Sequence, residues 1–170
     1  PRFSPDGARL AVELQTGENL DIWVYDLERK VPMRLTFDEG SDEYPVWSPD
    51  GSAVYYSSER DGEVDIYRRD PSGSGEAERV LERAGRQTPF SFSPDGTTLA
   101  FTEYLPDTDS DIWLLPMTDE GEPQPLVITE FTEYGPQYSP DGRWIAYGSN
   151  ETGNFEVYIT SATGDGKWQV

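Results

Sequence analysis

Apolar positions in this chain fall in short clusters separated by polar turns, and the clusters recur. The triplets Leu10-Ala11-Val12, Val54-Tyr55-Tyr56, Leu99-Ala100-Phe101 and Ile145-Ala146-Tyr147 start at intervals of 44, 45 and 46 residues. Each begins three residues after the glycine of a repeated tetrad: Ser4-Pro5-Asp6-Gly7, Ser48-Pro49-Asp50-Gly51, Ser93-Pro94-Asp95-Gly96 and Ser139-Pro140-Asp141-Gly142. An aromatic residue precedes every serine: Phe3, Trp47, Phe92, Tyr138. The triplets are rich in strand-favouring residues. In the tetrad, proline has the φ of the second turn position already set, aspartate suits the third, and glycine supplies the left-handed residue of a bulge closing a three-residue hairpin loop. The spacing therefore predicts a first strand, a hairpin turn and a second strand, four times.

A third strand follows in register. Asp21-Ile22-Trp23, Asp65-Ile66-Tyr67, Asp111-Ile112-Trp113 and Glu156-Val157-Tyr158 repeat the order acid, β-branched, aromatic. Turn-formers such as Thr16-Gly17-Glu18-Asn19 and Thr152-Gly153-Asn154 separate it from the second strand. A short fourth strand is expected around Met33–Thr36, Arg79–Glu82, Pro125–Ile128 and from Trp168 onward. No segment sustains a 3.6-residue apolar period, and Gly or Pro interrupts most windows. Four-stranded antiparallel meanders at this period predict an all-β fold of β-propeller blades, either a four-bladed ring or part of a six- to eight-bladed propeller. The expected blades are about 1–40, 41–85, 86–131 and 132–170 of a single segment, read as a piece of a longer protein.

The runs Tyr44-Pro45-Val46-Trp47-Ser48-Pro49-Asp50-Gly51 and Asp21-Ile22-Trp23-Val24-Tyr25-Asp26-Leu27 resemble the TolB-type, tryptophan–aspartate-repeat-like propeller repeat of bacterial proteins. The resemblance covers essentially the whole chain. It implies a propeller attached to any of several activities: a periplasmic TolB protein, the propeller half of a prolyl oligopeptidase-like serine peptidase, or the region behind a bacterial serine/threonine kinase. Residues 134–170 look most like the kinase-attached form. The resemblance alone favours a periplasmic or extracytoplasmic setting.

Charge narrows the partners. The chain has 13 Lys and Arg against 33 Asp and Glu, a net charge of -20. Between Gln87 and Asp141 there is no basic residue at all. Such a surface repels a phosphate backbone, so nucleic acid is not an expected partner. No apolar run approaches the roughly 18 residues of a membrane span, and no membrane insertion is expected. The chain has no histidine and no cysteine, which removes Ser-His-Asp and Cys-His catalysis and imidazole or thiolate metal sites from this segment.

No catalytic residue and no cofactor is therefore expected. Asp107, Asp109 and Asp111 alternate as in a calcium loop, but Ile112 stands where its glycine belongs and Thr118 where its bidentate acid belongs. The expected role is a non-catalytic interaction or ligand-sensing module. Two alternatives are a propeller gating a peptidase and a cation- or small-ligand-binding periplasmic propeller. The interaction residues would be loop residues just before each first strand: Asp42, Glu43, Tyr44, Gln87, Thr88, Glu133 and Tyr134. The first strands themselves, Pro1–Phe3, Pro45–Trp47, Phe90–Phe92 and Pro136–Tyr138, contain no acid. Partners would be another protein, the remaining blades of the same propeller, or a second copy through open blade edges.

Overall fold

A computed structural model describes residues 1–106, 109–118 and 121–170, which form sixteen strands and no helix. The chain divides into two compact units, Pro1–Pro89 and Phe90–Val170. The first holds two antiparallel sheets in meander order: β1 (Arg2–Phe3), β2 (Arg9–Thr16), β3 (Asn19–Asp26), β4 (Val31–Arg34), then β5 (Asp42–Trp47), β6 (Val54–Ser58), β7 (Asp65–Arg69), β8 (Glu78–Leu81). The unit boundary falls within β9 (Arg86–Phe92). Its sheet continues with β10 (Thr98–Leu105), β11 (Asp109–Pro116) and β12 (Gln124–Val127); the fourth sheet is β13 (Glu133–Tyr138), β14 (Trp144–Ser149), β15 (Glu156–Ser161) and β16 (Lys167–Gln169).

Each tetrad builds the hairpin between the first two strands of its sheet. The glycine N–H donates to the serine carbonyl at 2.8–2.9 Å, and the four glycines have φ between +69° and +74°. The serine hydroxyl donates to the aspartate Oδ1 at 2.5–2.6 Å. It also accepts the N–H five residues on, at 2.9–3.0 Å. The aspartate Oδ1 accepts the N–H two residues on, at 3.0–3.2 Å. The loop is one residue longer than the sequence predicts: Ser4 N–H reaches Arg9 O across Pro5–Ala8. A hydroxyl can substitute for a backbone acceptor there, which lets the hairpin close around an extra residue.

Two further expectations are corrected. The fourth strands begin one or two residues early, and in the second and third sheets their register shifts between Ile66 and Tyr67 and between Ile112 and Trp113. Beyond the end of β4, Leu35 N–H still reaches Ile22 O at 2.8 Å. The first strands of the second, third and fourth sheets begin three or four residues early. They thus include Asp42, Glu43 and Glu133, so they are not free of acids.

Packing follows the period of two. In the first unit, Ala11, Ile22, Val24 and Leu35 of the first sheet and its edge are at most 4% exposed, closed against Trp47, Val54, Tyr56 and Tyr67 of the second. Trp47 Nε1 donates to Arg2 O at 3.0 Å, and the Arg9 guanidinium lies 4.7 Å from the Trp47 ring centroid. In the second unit Ile112 packs with Tyr147 and Tyr158, the same repeat positions as Ile22, Tyr56 and Tyr67. Burying four such side chains removes several hundred square ångströms of apolar surface from water, at about 25 cal/mol per Å².

Candidate functional site

The strand starts bring the predicted interaction residues into the sheets, where they divide into two kinds. Asp42, Gln87 and Glu133 occupy one repeat position and are wholly buried; Thr88 is buried as well. Tyr44 and Tyr134 remain exposed, at 43% and 50%, and Glu43 is half-buried. The expectation that all seven form loops is therefore corrected. A bulge makes the difference, since it lets pairing resume upstream of the proline in β5 and β13.

The buried members tie the strand starts to what precedes them. Asp42 Oδ1 accepts from Arg60 at 3.3 Å, while Arg60 also pairs with Asp38 at 2.7 Å and donates to Tyr56 Oη at 3.0 Å. Burial pushes the Asp42 carboxyl above its ordinary range, against hydrogen bonds from Ser58 and Thr36. Gln87 donates from Nε2 to the carbonyls of Arg83, Ala84 and Gly85 at 3.1–3.2 Å. Glu133 Oε1 accepts from Thr129 at 2.8 Å and Ser149 at 3.0 Å, and burial raises its carboxyl too. Gln87 thus anchors backbone and the two carboxylates bind side chains, while Asp42 Oδ2, Gln87 Oε1 and Glu133 Oε2 are buried with no hydrogen-bond partner among the described residues.

Tyr44 differs. It sits at φ 57°, in the left-handed region, and its N–H donates to Glu13 Oε1 at 2.5 Å. The same repeat position in the fourth sheet is Gly135, at φ 69°. In the third sheet it is Pro89, which cannot take a positive φ. Beside Tyr44, Glu43 pairs with Arg86 at 2.6 Å. In the second unit, Tyr134 lies over Gly148, where a Cβ would come within 2.6 Å of its ring, and meets Phe155 edge-on at 5.4 Å. Sequence reasoning could name Tyr44 but not its conformation, because tyrosine carries no left-handed signal.

The alternating acids are not gathered into a cage. Asp107 lies outside the described residues. Asp109 Oδ2 accepts from Thr132 at 2.8 Å, and Asp111 Oδ1 from Thr129 N–H at 3.3 Å. Among the described residues no group of three acids is placed to hold a metal ion. The repeated acid at the third-strand entry meets varied partners. Asp111 and Asp65 accept backbone N–H groups, and Arg34 and Arg79 of the fourth strands approach Asp21 and Asp65 at 2.8 and 3.4 Å.

Similar proteins match this geometry. The family described as TolB beta propeller domain matches residues 1–89. An uncharacterized protein of Agrobacterium fabrum is 32% identical over 155 residues, covering 85% of this chain and 52% of its own length. The uncharacterized peptidase YuxL of Bacillus subtilis is 26% identical, with 89% of this chain and 29% of its own covered. The crystal structure of TolB from Acinetobacter baumannii superposes with a TM-score of 0.84 at 26% identity, over 97% of this chain and 41% of that one. The chain thus spans about half or less of the length of these relatives. These matches give no support to the kinase-attached form suggested by residues 134–170.

Proposed function

The chain belongs to the TolB β-propeller domain family, and on that premise we propose that it is a non-catalytic propeller segment that binds a protein partner through the exposed strand-start aromatics, Tyr44 foremost. Its two units are read as consecutive stretches of one propeller, with repeats of about 1–40, 41–85, 86–131 and 132–170. One observation carries the binding reading. Tyr44 is an exposed side chain held at a φ that disfavours it, in a slot that the fourth sheet fills with Gly135. A non-glycine residue kept at a left-handed position is a pointer to function, and tyrosine supplies large contact area with few rotors to freeze. The remaining candidates support it differently: Asp42, Gln87, Thr88 and Glu133 hold the frame, and Glu43 and Tyr134 stand at its edge.

The test is a photo-crosslinking residue placed at position 44 and, as a control, at Ser52 beside a tetrad turn, in the parent protein in its own cells. A discrete protein adduct from position 44 alone is expected. Equal labelling from both positions, or none, would overturn the reading.

A second reading has one specific support: the match to a Bacillus protein named as a peptidase, of which this chain covers 29%. In that case the propeller would stand beside a peptidase domain of the parent and restrict which peptides reach it. Deleting the propeller from the parent would then broaden peptide hydrolysis rather than abolish partner capture.

A further inference from the structure

Six aspartates stand directly before a glycine: Asp6, Asp50, Asp61, Asp95, Asp141 and Asp165. Such a bond can rearrange without an enzyme, because a glycine nitrogen, with no side chain crowding it, reaches the preceding carboxyl group. The nitrogen attacks Cγ of the neutral acid, its proton and the carboxyl hydroxyl leave as water, and a succinimide ring closes. Water then opens the ring at either carbonyl. One product is aspartate again; the other is isoaspartate, in which the main chain runs through Cβ and Cγ.

Asp50 and Asp61 allow a direct comparison, since their turns lie at the two ends of β6. Each stands third in its turn, before a glycine at positive φ, +70° for Gly51 and +93° for Gly62. Gly51 N–H donates to Ser48 O at 2.9 Å and Gly62 N–H to Glu59 O at 3.0 Å, so the backbones match. The carboxylates do not. Asp50 Oδ1 accepts from Ser48 Oγ, Ser52 N–H and Ser52 Oγ at 2.6, 3.0 and 2.8 Å, and Oδ2 accepts from Ser52 Oγ at 2.9 Å. These donors hold the carboxyl at about 2 against an ordinary 3.8, so the neutral acid from which the ring closes is scarce. Asp61 has Glu59 where Asp50 has Ser48. Among the described residues its carboxylate accepts from the Tyr67 hydroxyl through Oδ2 only, Arg79 approaches at 3.9 Å, and the side chain is 56% exposed.

We propose that Asp61 is a site of spontaneous isoaspartate formation, and that the serine of each tetrad spares the Asp–Gly bond it closes on. Asp165 also lacks a tetrad serine, and Asp61 is the sharper case because it shares a sheet with Asp50. The product would place an extra methylene in the main chain beside Arg60. That guanidinium pairs with Asp38 and Asp42 and lies 4.4 Å from the Tyr67 ring centroid, so the change would loosen the tie that holds the start of β5. The proposal stands apart from the Tyr44 reading, since the chemistry at Asp61 proceeds whether or not a partner binds.

The experiment is incubation of the parent protein in heavy-oxygen water at neutral pH, below its melting temperature, then trypsin digestion in ordinary water and mass spectrometry. Each passage through the ring leaves one heavy oxygen in the carboxyl group, whichever isomer forms. Asp61 and Asp50 fall in different tryptic peptides, residues 61–68 and 35–60, and fragment ions assign the label. Asp61 should take up heavy oxygen several-fold faster than Asp50, with isoaspartate accumulating there. Ser48→Ala should raise the rate at Asp50 several-fold and leave Asp61 and Asp95 unchanged. Glu59→Ser, which sets a serine before Asp61 at the tetrad spacing, should lower the rate at Asp61. Equal rates at Asp50 and Asp61 in the unsubstituted protein overturn the proposal, as does an unchanged Asp50 in Ser48→Ala or an undiminished Asp61 in Glu59→Ser. A rise at Asp95 equal to that at Asp50 in Ser48→Ala would trace the effect to a loosened fold, and overturns the role given to the serine.

Discussion

At the residue scale the tetrad shows how far letters carry. Proline, aspartate and glycine are legible, since each has a conformational reason to occupy its turn position. The serine is not, because its role depends on an N–H five residues away that only the closed hairpin brings near. Ser48→Ala should therefore cost about 1 kcal/mol, the low end of the range for a donor left without its acceptor, because Ala53 N–H is only half-buried. Gly51→Val should cost roughly 1–3 kcal/mol, for a different reason: Gly51 sits at φ +70° and a β-branched residue is strained there. Space is not the cause, as the nearest atom to an added Cβ is Pro5 Cδ at 3.6 Å. Denaturant midpoints of both variants check these values, and midpoints equal to the parent's would show that the turn is not held as described.

At the element scale, every strand was legible as a strand, while several starts were not. The sequence starts the first strands at the proline of Tyr44-Pro45 and Gly135-Pro136. The structure runs them upstream through a bulge that requires a left-handed residue. Gly135 announces that need and Tyr44 conceals it. Tyr44→Gly should therefore change stability little or raise it, by up to about 1 kcal/mol. It relieves a left-handed penalty of roughly 1–2 kcal/mol and incurs a smaller loss through the freer unfolded chain. A thermal melt of the variant checks this, and a loss beyond about 1 kcal/mol would mean that the ring packs as part of the frame. Paired with the crosslinking result, a variant at least as stable as its parent but unable to bind its partner would identify a residue kept for recognition.

At the scale of the whole molecule, two sets of acids oppose each other as pH changes. Serine hydrogen bonds hold the turn aspartates low, Asp50 and Asp141 at about 2 against an ordinary 3.8. Their contribution to stability is complete above 3.8 and is lost as pH falls through about 2. Burial pushes Asp42, Asp65 and Glu133 up from 3.8, 3.8 and 4.5. For these the folded state holds its proton more tightly than the unfolded one, so stability rises as pH falls from neutral towards those ordinary values. Melts across the acid range should show a maximum on the mildly acidic side of neutrality and a decline below 3.8; a steady fall from neutrality downward would contradict the assignment of buried charge. The repeat and its period were fully legible in the sequence. Which face of each sheet is covered was not, because strands apolar on both sides do not reveal their neighbours. The seam between Ile22 and Tyr56 has a further consequence. Since it is rebuilt at the same repeat positions by Ile112 and Tyr147, while each hairpin closes on its own serine, a repeat copied as a whole would carry its own turn and its own half of such a joint with it. The natural unit of duplication in this architecture is therefore the whole sheet with its hairpin, not a single strand.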